Sequence, residues 1–433
     1  MTYGGTVPPS STEEERAYRK VTWRLLPFLM LCYLIAYLDR VNIGFAKLQM
    51  LADLQFSETV YGLGAGIFFI GYFLFEVPSN IVLHRVGARL WIGRIMITWG
   101  LVSGAFMFVS TPTMFYGLRF LLGLAEAGFF PGIILYLTYW YPSHRRAHMI
   151  AVFMAAIPLS GILGGPLSGW IMASLTGTYG LTGWQWLFLL EAVPALVIGV
   201  VVMLYLDNGV RSAKWLTESE KTILEENLER DRAAAPVHPS LRALAADRRL
   251  WRMCLIYFAS VVGNYGLTFW LPTLIEAAGV RDVLRIGLLT AVPYSVAIVA
   301  MLLVGRSGDR HRERRWHTAV PMLVGALGLT GSALVGTNTF LAMTFLTIAA
   351  CGLMTCAPLF WSLPTAILRG TAAAAGIAAI NSVGNLGGFV SPYVVGWLKD
   401  LTHSTALGMY VLSAALVVGA WLIIRIPAQM VNR

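Results

Sequence analysis

The sequence predicts an all-α membrane protein with twelve transmembrane helices in two pseudo-symmetric six-helix bundles. Composition is the first reason, because 57% of the 433 residues are hydrophobic and only 12% are charged. A soluble protein carries about 25% charged residues. The second reason is that apolar runs of about 20 residues, long enough to cross a bilayer, recur along the chain. The third is a single long polar segment, which divides these runs into two sets of six.

The predicted spans and domains follow the chain in order. A cytosolic tail over residues 1–22 precedes the first bundle, 23–206, whose spans are 23–46, 60–83, 91–110, 113–137, 147–173 and 184–206. A cytosolic linker over 207–250 precedes the second bundle, 251–425, whose spans are 251–277, 286–304, 318–336, 339–366, 372–397 and 405–425. A second cytosolic tail covers 426–433.

Basic residues predict the orientation of these spans. Of the 32 Lys and Arg residues, 26 fall on the side of the two termini, four fall on the other side and two lie within spans. The positive-inside rule therefore places both termini in the cytosol of a bacterial-type inner membrane. The net charge of +10 belongs to these short loops, so we expect no nucleic-acid partner.

The linker is predicted to contain one surface helix. Thr217 and Glu220 have the spacing of a capping box, and a charged run continues from them to about Arg232. Pro236 and Pro239 then break the helical pattern.

Two internal repeats indicate that the halves arose by duplication. Residues 163–170 (LGGPLSGW) in span five parallel residues 386–397 (LGGFVSPYVVGW) in span eleven. Basic loops are predicted after spans two and eight, at residues 84–89 (HRVGAR) and 305–310 (GRSGDR). Two related halves around a site near the bilayer midplane suit alternating access.

Spans one and four each carry an acidic and a basic side chain at membrane depth, where a charge costs about 2.5–3.5 kcal/mol. Asp39 and Arg40 lie in span one, and Arg119 and Glu126 lie in span four. Arg119 and Glu126 are two turns apart on one face of a straight helix, about 10.5 Å along its axis. We expect Arg40 and Arg119 to hold a carboxylate between them, and Glu126 and Asp39 to carry protons. The alternative is that these charges form structural ion pairs.

A further set of polar side chains in the spans is divided between substrate contact and helix packing. The set is Tyr33, Tyr37, Asn264, Tyr265, Asn381 and Asn385. We expect Glu76 and Glu191, also within spans, to make structural hydrogen bonds. The four cysteines form no CxxC pair, so we expect no metal site.

With these residues in place, the chain resembles the major facilitator superfamily over nearly all of residues 23–425. Its stretches 37–44 (YLDRVNIG), 118–127 (LRFLLGLAEA) and 381–388 (NSVGNLGG) resemble the anion:cation symporter branch. Within that branch it is similar to bacterial permeases for tartrate, phthalate, nicotinate or hydroxyphenylacetate. The resemblance implies a substrate contact for Tyr72 and gating roles for Arg85, Arg89, Asp309 and Arg310.

The expected function is therefore proton-coupled uptake of a small organic carboxylate by a monomer, with the proton as the coupling ion and no other cofactor. An antiporter or exporter of the same fold is one alternative, because residues 161–169 carry a glycine-proline pattern similar to that of proton-coupled antiporters. A non-transporting membrane sensor is the alternative from another class. We expect no enzymatic activity.

Overall fold

A computed structural model describes residues 12–233, 247–367 and 371–432, and these ranges contain helices and no strands. The helices of the first half are α1 Thr12–Leu54, α2 Glu58–Val86, α3 Ala88–Ala105, α4 Pro112–Glu126, α5 Phe129–Thr138, α6 Ser143–Met154, α7 Ala156–Leu175 and α8 Gly183–Tyr205. Helix α9 (Glu218–Ala233) follows. The helices of the second half are α10 Arg248–Ala277, α11 Val283–His311, α12 Arg315–Leu334, α13 Thr339–Phe360, α14 Ser362–Ile367, α15 Thr371–Thr402, α16 Ala406–Ile424 and α17 Ala428–Val431.

The predicted architecture of two six-span halves is confirmed. Three of the spans are interrupted, and they consist of α4 with α5, α6 with α7, and α13 with α14. Among the described residues, eleven spans are long and apolar enough to cross a bilayer. The twelfth is α15, which is 32 residues long and packs along α2 and α10.

The linker contains the predicted surface helix, α9. Its capping box is formed, because the Thr217 amide donates to the Glu220 carboxylate (2.8 Å) and the Glu220 amide donates to Thr217 Oγ1 (3.3 Å). Partial burial opposes ionisation of Glu220, but hydrogen bonds from Thr217 and Lys20 hold its pKa below the usual value. Lys20 (3.0 Å from Glu220) ties α9 to α1. Pro236 and Pro239 lie outside the described residues.

Two predicted loops were wrong, and one helix extends beyond its predicted span. Helix α1 begins at Thr12, well before the predicted span, and the predicted loops 84–89 and 305–310 are almost wholly helical. Gly87 (φ 96°) alone separates α2 from α3, and α11 runs to His311 before Arg312 (φ 50°) ends it. Basic side chains in a last helical turn are stabilised by the helix dipole, so a cluster of Arg there does not by itself mark a loop.

Glycines bring the two halves together at three helix pairs, α2 with α15, α7 with α11, and α1 with α10. A side-chain carbon at Gly66 would lie 2.7 Å from the Phe389 carbonyl oxygen, and one at Gly44 would lie 3.0 Å from the Phe269 carbonyl oxygen. Gly165 packs in the same way against α11. The duplicated glycine motifs of spans five and eleven therefore each face the opposite half.

These contacts lie towards one end of the bundle, here called the far face, which carries Lys47 and Lys399. The opposite end, the terminal face, carries Thr12 and Asn432. At the far face, Glu58 pairs with Lys47 (2.7 Å) of its own half and with Lys399 of the other half. Lys47 Nζ also donates to Thr273 Oγ1 of α10 (3.1 Å). A partly buried ion pair, Glu58 with Lys399, and a buried hydrogen bond, Lys47 with Thr273, thus join the halves at the far face.

Gly66→Val should lower the melting temperature of the purified protein, because the new side chain meets the backbone of α15. Overpacking of this kind costs about 1–3 kcal/mol. Gly117→Val is the matched control, because an added carbon there meets no atom within 4 Å. Thermal unfolding followed by tryptophan fluorescence checks this, and equal shifts for both variants would contradict the packing described.

Candidate binding and coupling site

The centre of the bundle holds an ion pair between Arg40 of α1 and Glu126 of α4. Arg40 Nη2 donates to Glu126 Oε1, and Arg40 Nη1 donates to the Tyr265 hydroxyl of α10 at 3.2 Å. Arg40 is 8% exposed and Glu126 is 4% exposed. The pair therefore links two helices of the first half to one helix of the second, away from bulk water.

A break in span four positions Glu126 for this contact. Helix α4 ends at Glu126, Ala127 has extended backbone angles, and Gly128 (φ 84°) begins the turn into α5. A residue with a side chain at position 128 would be strained in this conformation and would also collide with Ser79. Span four, predicted over 113–137, is present over Pro112–Thr138 but is broken after Glu126. Interrupted helices beside a midplane site are common in transporters.

Aromatic rings surround the Arg40 guanidinium. The ring centroids of Tyr37, Phe68 and Tyr72 lie 5.1, 5.2 and 5.7 Å from its central carbon. Such rings attract a cation through their electron-rich faces. Tyr33 stacks edge-on against Tyr37 at 5.3 Å. Sequence reasoning named the three tyrosines but missed Phe68, because a phenylalanine in an apolar span carries no distinguishing signal.

The Arg119 side chain is hydrogen-bonded to the backbone of α2. Its Nε donates to the Gly64 carbonyl and its Nη2 to the Ala65 carbonyl, both at 3.1 Å, and the residue is 1% exposed. Its partners are neutral carbonyls rather than Glu126, so its charge adds a positive potential beside the Arg40–Glu126 pair. Its predicted direct contact with an anion stays a prediction.

Asp39 points away from Arg40 into the first half, as expected for adjacent residues on a helix. Its Oδ1 accepts hydrogen bonds from Ser103 of α3 and from Asn42 (3.2 Å). Glu191 of α8 accepts a bond from Ser168 (2.9 Å), which confirms its predicted structural bond. No cation pairs with Asp39 or Glu191 in the described part of the chain.

The three predicted asparagines have different surroundings. Asn381 of α15 donates to Glu76 of α2 at 3.1 Å, an interhelical bond between the halves. The Oδ1 atom of Asn264, beside Tyr265, is buried and has no hydrogen-bond partner in the ranges that the structure describes. Asn385 is half-buried, one turn from Asn381.

A cleft of about 520 Å³ opens between the halves towards the terminal face. Its walls come from α2, α5 and α15 and include Glu76, Asn80, His84, Arg85 and Ser382. The bundle is thus joined at the far face and parted at the terminal face. Among the described residues, no group of three His, Cys, Asp or Glu side chains could hold a metal ion.

The predicted gating residues lie at the terminal face in different surroundings. Arg85 lines the cleft. The Arg89 backbone amide instead donates to Asn208 Oδ1 (3.1 Å), and the Arg89 guanidinium donates to the Met203 carbonyl. Asp309 and Arg310 are exposed near the end of α11, so their gating role stays a prediction.

Comparison with known proteins gives a consistent family. Residues 29–392 match the model of the Major Facilitator Superfamily. The chain is 50% identical over 417 residues to the "Putative metabolite transport protein NicT" of Pseudomonas putida, covering 96% of this chain and 95% of that protein. It is 52% identical over 412 residues to a "Putative tartrate transporter" of Agrobacterium vitis, covering 95% and 94%.

Two further similarities bear on function and fold. A "Quinolone resistance transporter" of Acinetobacter baumannii is 40% identical over 413 residues, with 94% of each chain covered. Among solved structures, the partially occluded inward open conformation of the xylose transporter XylE from E. coli matches with a TM-score of 0.74. That match has 14% identity and covers 94% of this chain and 98% of XylE, so it supports the fold alone.

A double-mutant cycle should show strong coupling between Arg40 and Glu126. Arg40→Gln or Glu126→Gln alone leaves one uncompensated buried charge, which costs about 3–5 kcal/mol, whereas the double variant should recover much of that loss. The exposed pair Arg230 and Glu226 of α9 (2.9 Å) provides the control cycle, with coupling of about 0.3–0.5 kcal/mol. Melting temperatures measure both cycles, and additive losses at Arg40 and Glu126 would show that the two side chains are not paired.

Proposed function

This chain belongs to the Major Facilitator Superfamily, and from that premise we propose that it takes up a small organic carboxylate together with protons. Membership makes it a multi-pass membrane transporter rather than an enzyme. The finer proposal rests on the buried pair of Arg40 and Glu126, in which Arg40 is bound to a carboxylate of the protein itself.

A substrate carboxylate has the same chemistry as the group that Arg40 already binds. When Glu126 is displaced, a substrate carboxylate can accept charge-assisted hydrogen bonds from the Arg40 guanidinium. The nearby charge of Arg119 adds attraction, and the rings of Tyr37 and Tyr72 supply apolar walls with hydroxyl groups. The names of the tartrate and metabolite transport relatives support a small metabolite as the substrate.

Protonation of Glu126 supplies the coupling in this proposal. A neutral Glu126 no longer neutralises Arg40, and an unpaired buried guanidinium is costly. The substrate anion then restores neutrality, so a proton and an anion are favoured together and neither is favoured alone. Asp39 is the second proposed proton carrier, because it is buried against Ser103 and Asn42 and forms no ion pair with a described residue.

The proposed orientation in the membrane follows from the two ends of the bundle. The distribution of Lys and Arg supports a cytosolic terminal face in a bacterial-type inner membrane, and the cleft between the halves opens to that face. The far face is then the outer side, joined through Glu58, Lys47 and Lys399. All the side chains invoked come from one chain, so a monomer suffices.

An exporter that exchanges its substrate for protons is the second candidate. The relative named for quinolone resistance favours it, as does the glycine-proline segment of α7 around Pro166. A sensor that keeps the fold without transport is the remaining alternative. Reconstituted proteoliposomes separate all three.

Arg40→Ala should abolish saturable binding of nicotinate or tartrate, whichever the wild-type protein binds. Each lost charge-assisted hydrogen bond weakens affinity by about 1.5–3 kcal/mol, and Arg40→Lys should rescue poorly because the planar fork is lost. Arg230→Ala, on the surface helix, is the control and should bind normally. Isothermal titration calorimetry measures the affinity, and near wild-type binding by Arg40→Ala would reject the anion site.

An inside-alkaline pH gradient should drive accumulation of the same anion in proteoliposomes, and a protonophore should collapse it. Glu126→Gln should lose this accumulation while retaining exchange of labelled for unlabelled substrate, because an amide keeps the shape of the acid but carries no proton. Asp39→Asn should behave similarly, whereas the surface variant Glu226→Gln should behave as wild type. Accumulation driven by an inside-acidic gradient would replace the uptake proposal with the exporter.

A further inference from the structure

The contact between α2 and α15 is closed along most of its length and ends at one hydrogen bond. The two helices run antiparallel, with Gly62 against Pro392 and Gly66 against Phe389. Phe69 of α2 then packs against Gly388, and further towards the terminal face Asn381 donates to Glu76 (3.1 Å). Beyond it the helices part, and the cleft begins. Glu76 therefore lies where the sealed interface between the halves meets the open cleft.

Glu76 differs from Glu126 in having no cation partner among the described residues. It is 7% exposed, its Oε1 accepts the Asn381 amide, and its Oε2 is buried and makes no hydrogen bond to a residue that the structure describes. No Lys or Arg pairs with it in the ranges that the structure describes. Burying an unpaired carboxylate is far more costly than burying a neutral acid, so this closed environment favours the protonated form.

The side chains around Glu76 allow it to exchange a proton with the cleft. Tyr72 lies one turn earlier on α2, and Tyr257 of α10 packs against Gly384 of α15. His84 and Arg85 of α2 stand at the rim of the same cleft. The residues that α5 and α15 contribute to the cleft wall are Pro131, Ala378 and Ser382, none of which titrates.

We propose that Glu76 is a third proton-carrying carboxyl group, through which a proton passes between the protein and water in the terminal-face cleft. The proposal deepens the proton coupling proposed above and rests on it. The protonated acid gives its proton to a water molecule in the cleft, and a carboxylate remains. The Asn381 amide then donates to a charged acceptor, which makes a stronger bond.

This step links protonation to the contact between the halves. Asn381 belongs to the second half and Glu76 to the first, so a change of charge on Glu76 changes an inter-half hydrogen bond. The position at the inner end of the closed interface suits that role. Glu126 instead bonds to Arg40 of α1, and Asp39 bonds to Ser103 of α3.

Infrared titration of the protein in proteoliposomes, without substrate, tests the site directly. The wild type should show a carboxylic-acid C=O band that titrates with pH, and Glu76→Gln should remove it. Asn381→Ala should keep the band but move it to higher wavenumber, because the carbonyl loses a hydrogen bond. Glu191→Gln is the control and should leave this band unchanged. Superimposable wild-type and Glu76→Gln titrations would overturn the proposal.

Transport then separates this proposal from the one on which it rests. If wild type accumulates nicotinate or tartrate under an inside-alkaline gradient, Glu76→Gln should lose accumulation but retain exchange, and Glu76→Asp should recover part of it. Full accumulation by Glu76→Gln would overturn the role of Glu76 alone. If wild type shows no proton-driven accumulation, the proposed function fails, and the infrared titration still decides whether Glu76 exchanges a proton.

Discussion

The ion pair of Arg40 and Glu126 is the interaction on which the rest of the site depends. It is buried from water, so neither side chain can lose its partner without a replacement. It also joins α1 and α4, and through the Tyr265 hydroxyl it reaches α10 of the other half. Any ligand that takes over one member of the pair therefore acts on a contact between the two halves.

The surrounding fold restricts where the two halves can move around this ion pair. Glycines hold the halves close together on the far-face side, where Glu58, Lys47 and Lys399 add buried polar contacts. On the other side the cleft parts α2 from α15. Glycines let neighbouring helices pack closely against each other. We therefore expect movement between the halves at the cleft and at the broken spans rather than within the straight helices.

Sequence reasoning located the spans, the capping box at Thr217 and the charged residues, because each leaves a local signal in composition or spacing. It did not locate the partner of Arg40, because the break after Glu126 depends on how Gly128 packs against Ser79. It also did not locate the α2 carbonyls to which Arg119 donates. Contacts between distant helices are tertiary, and one sequence does not encode them in any short pattern.

The most direct test is to measure how many protons the protein takes up when it binds the anion. Calorimetry in buffers of different ionisation enthalpy counts the protons that the purified protein takes up as nicotinate or tartrate binds. The exchange of partners at Arg40 predicts proton uptake with each bound anion in wild type, and a loss of that uptake in Glu126→Gln. Tight anion binding by wild type with no proton uptake, at a pH where free Glu126 is ionised, would contradict the account.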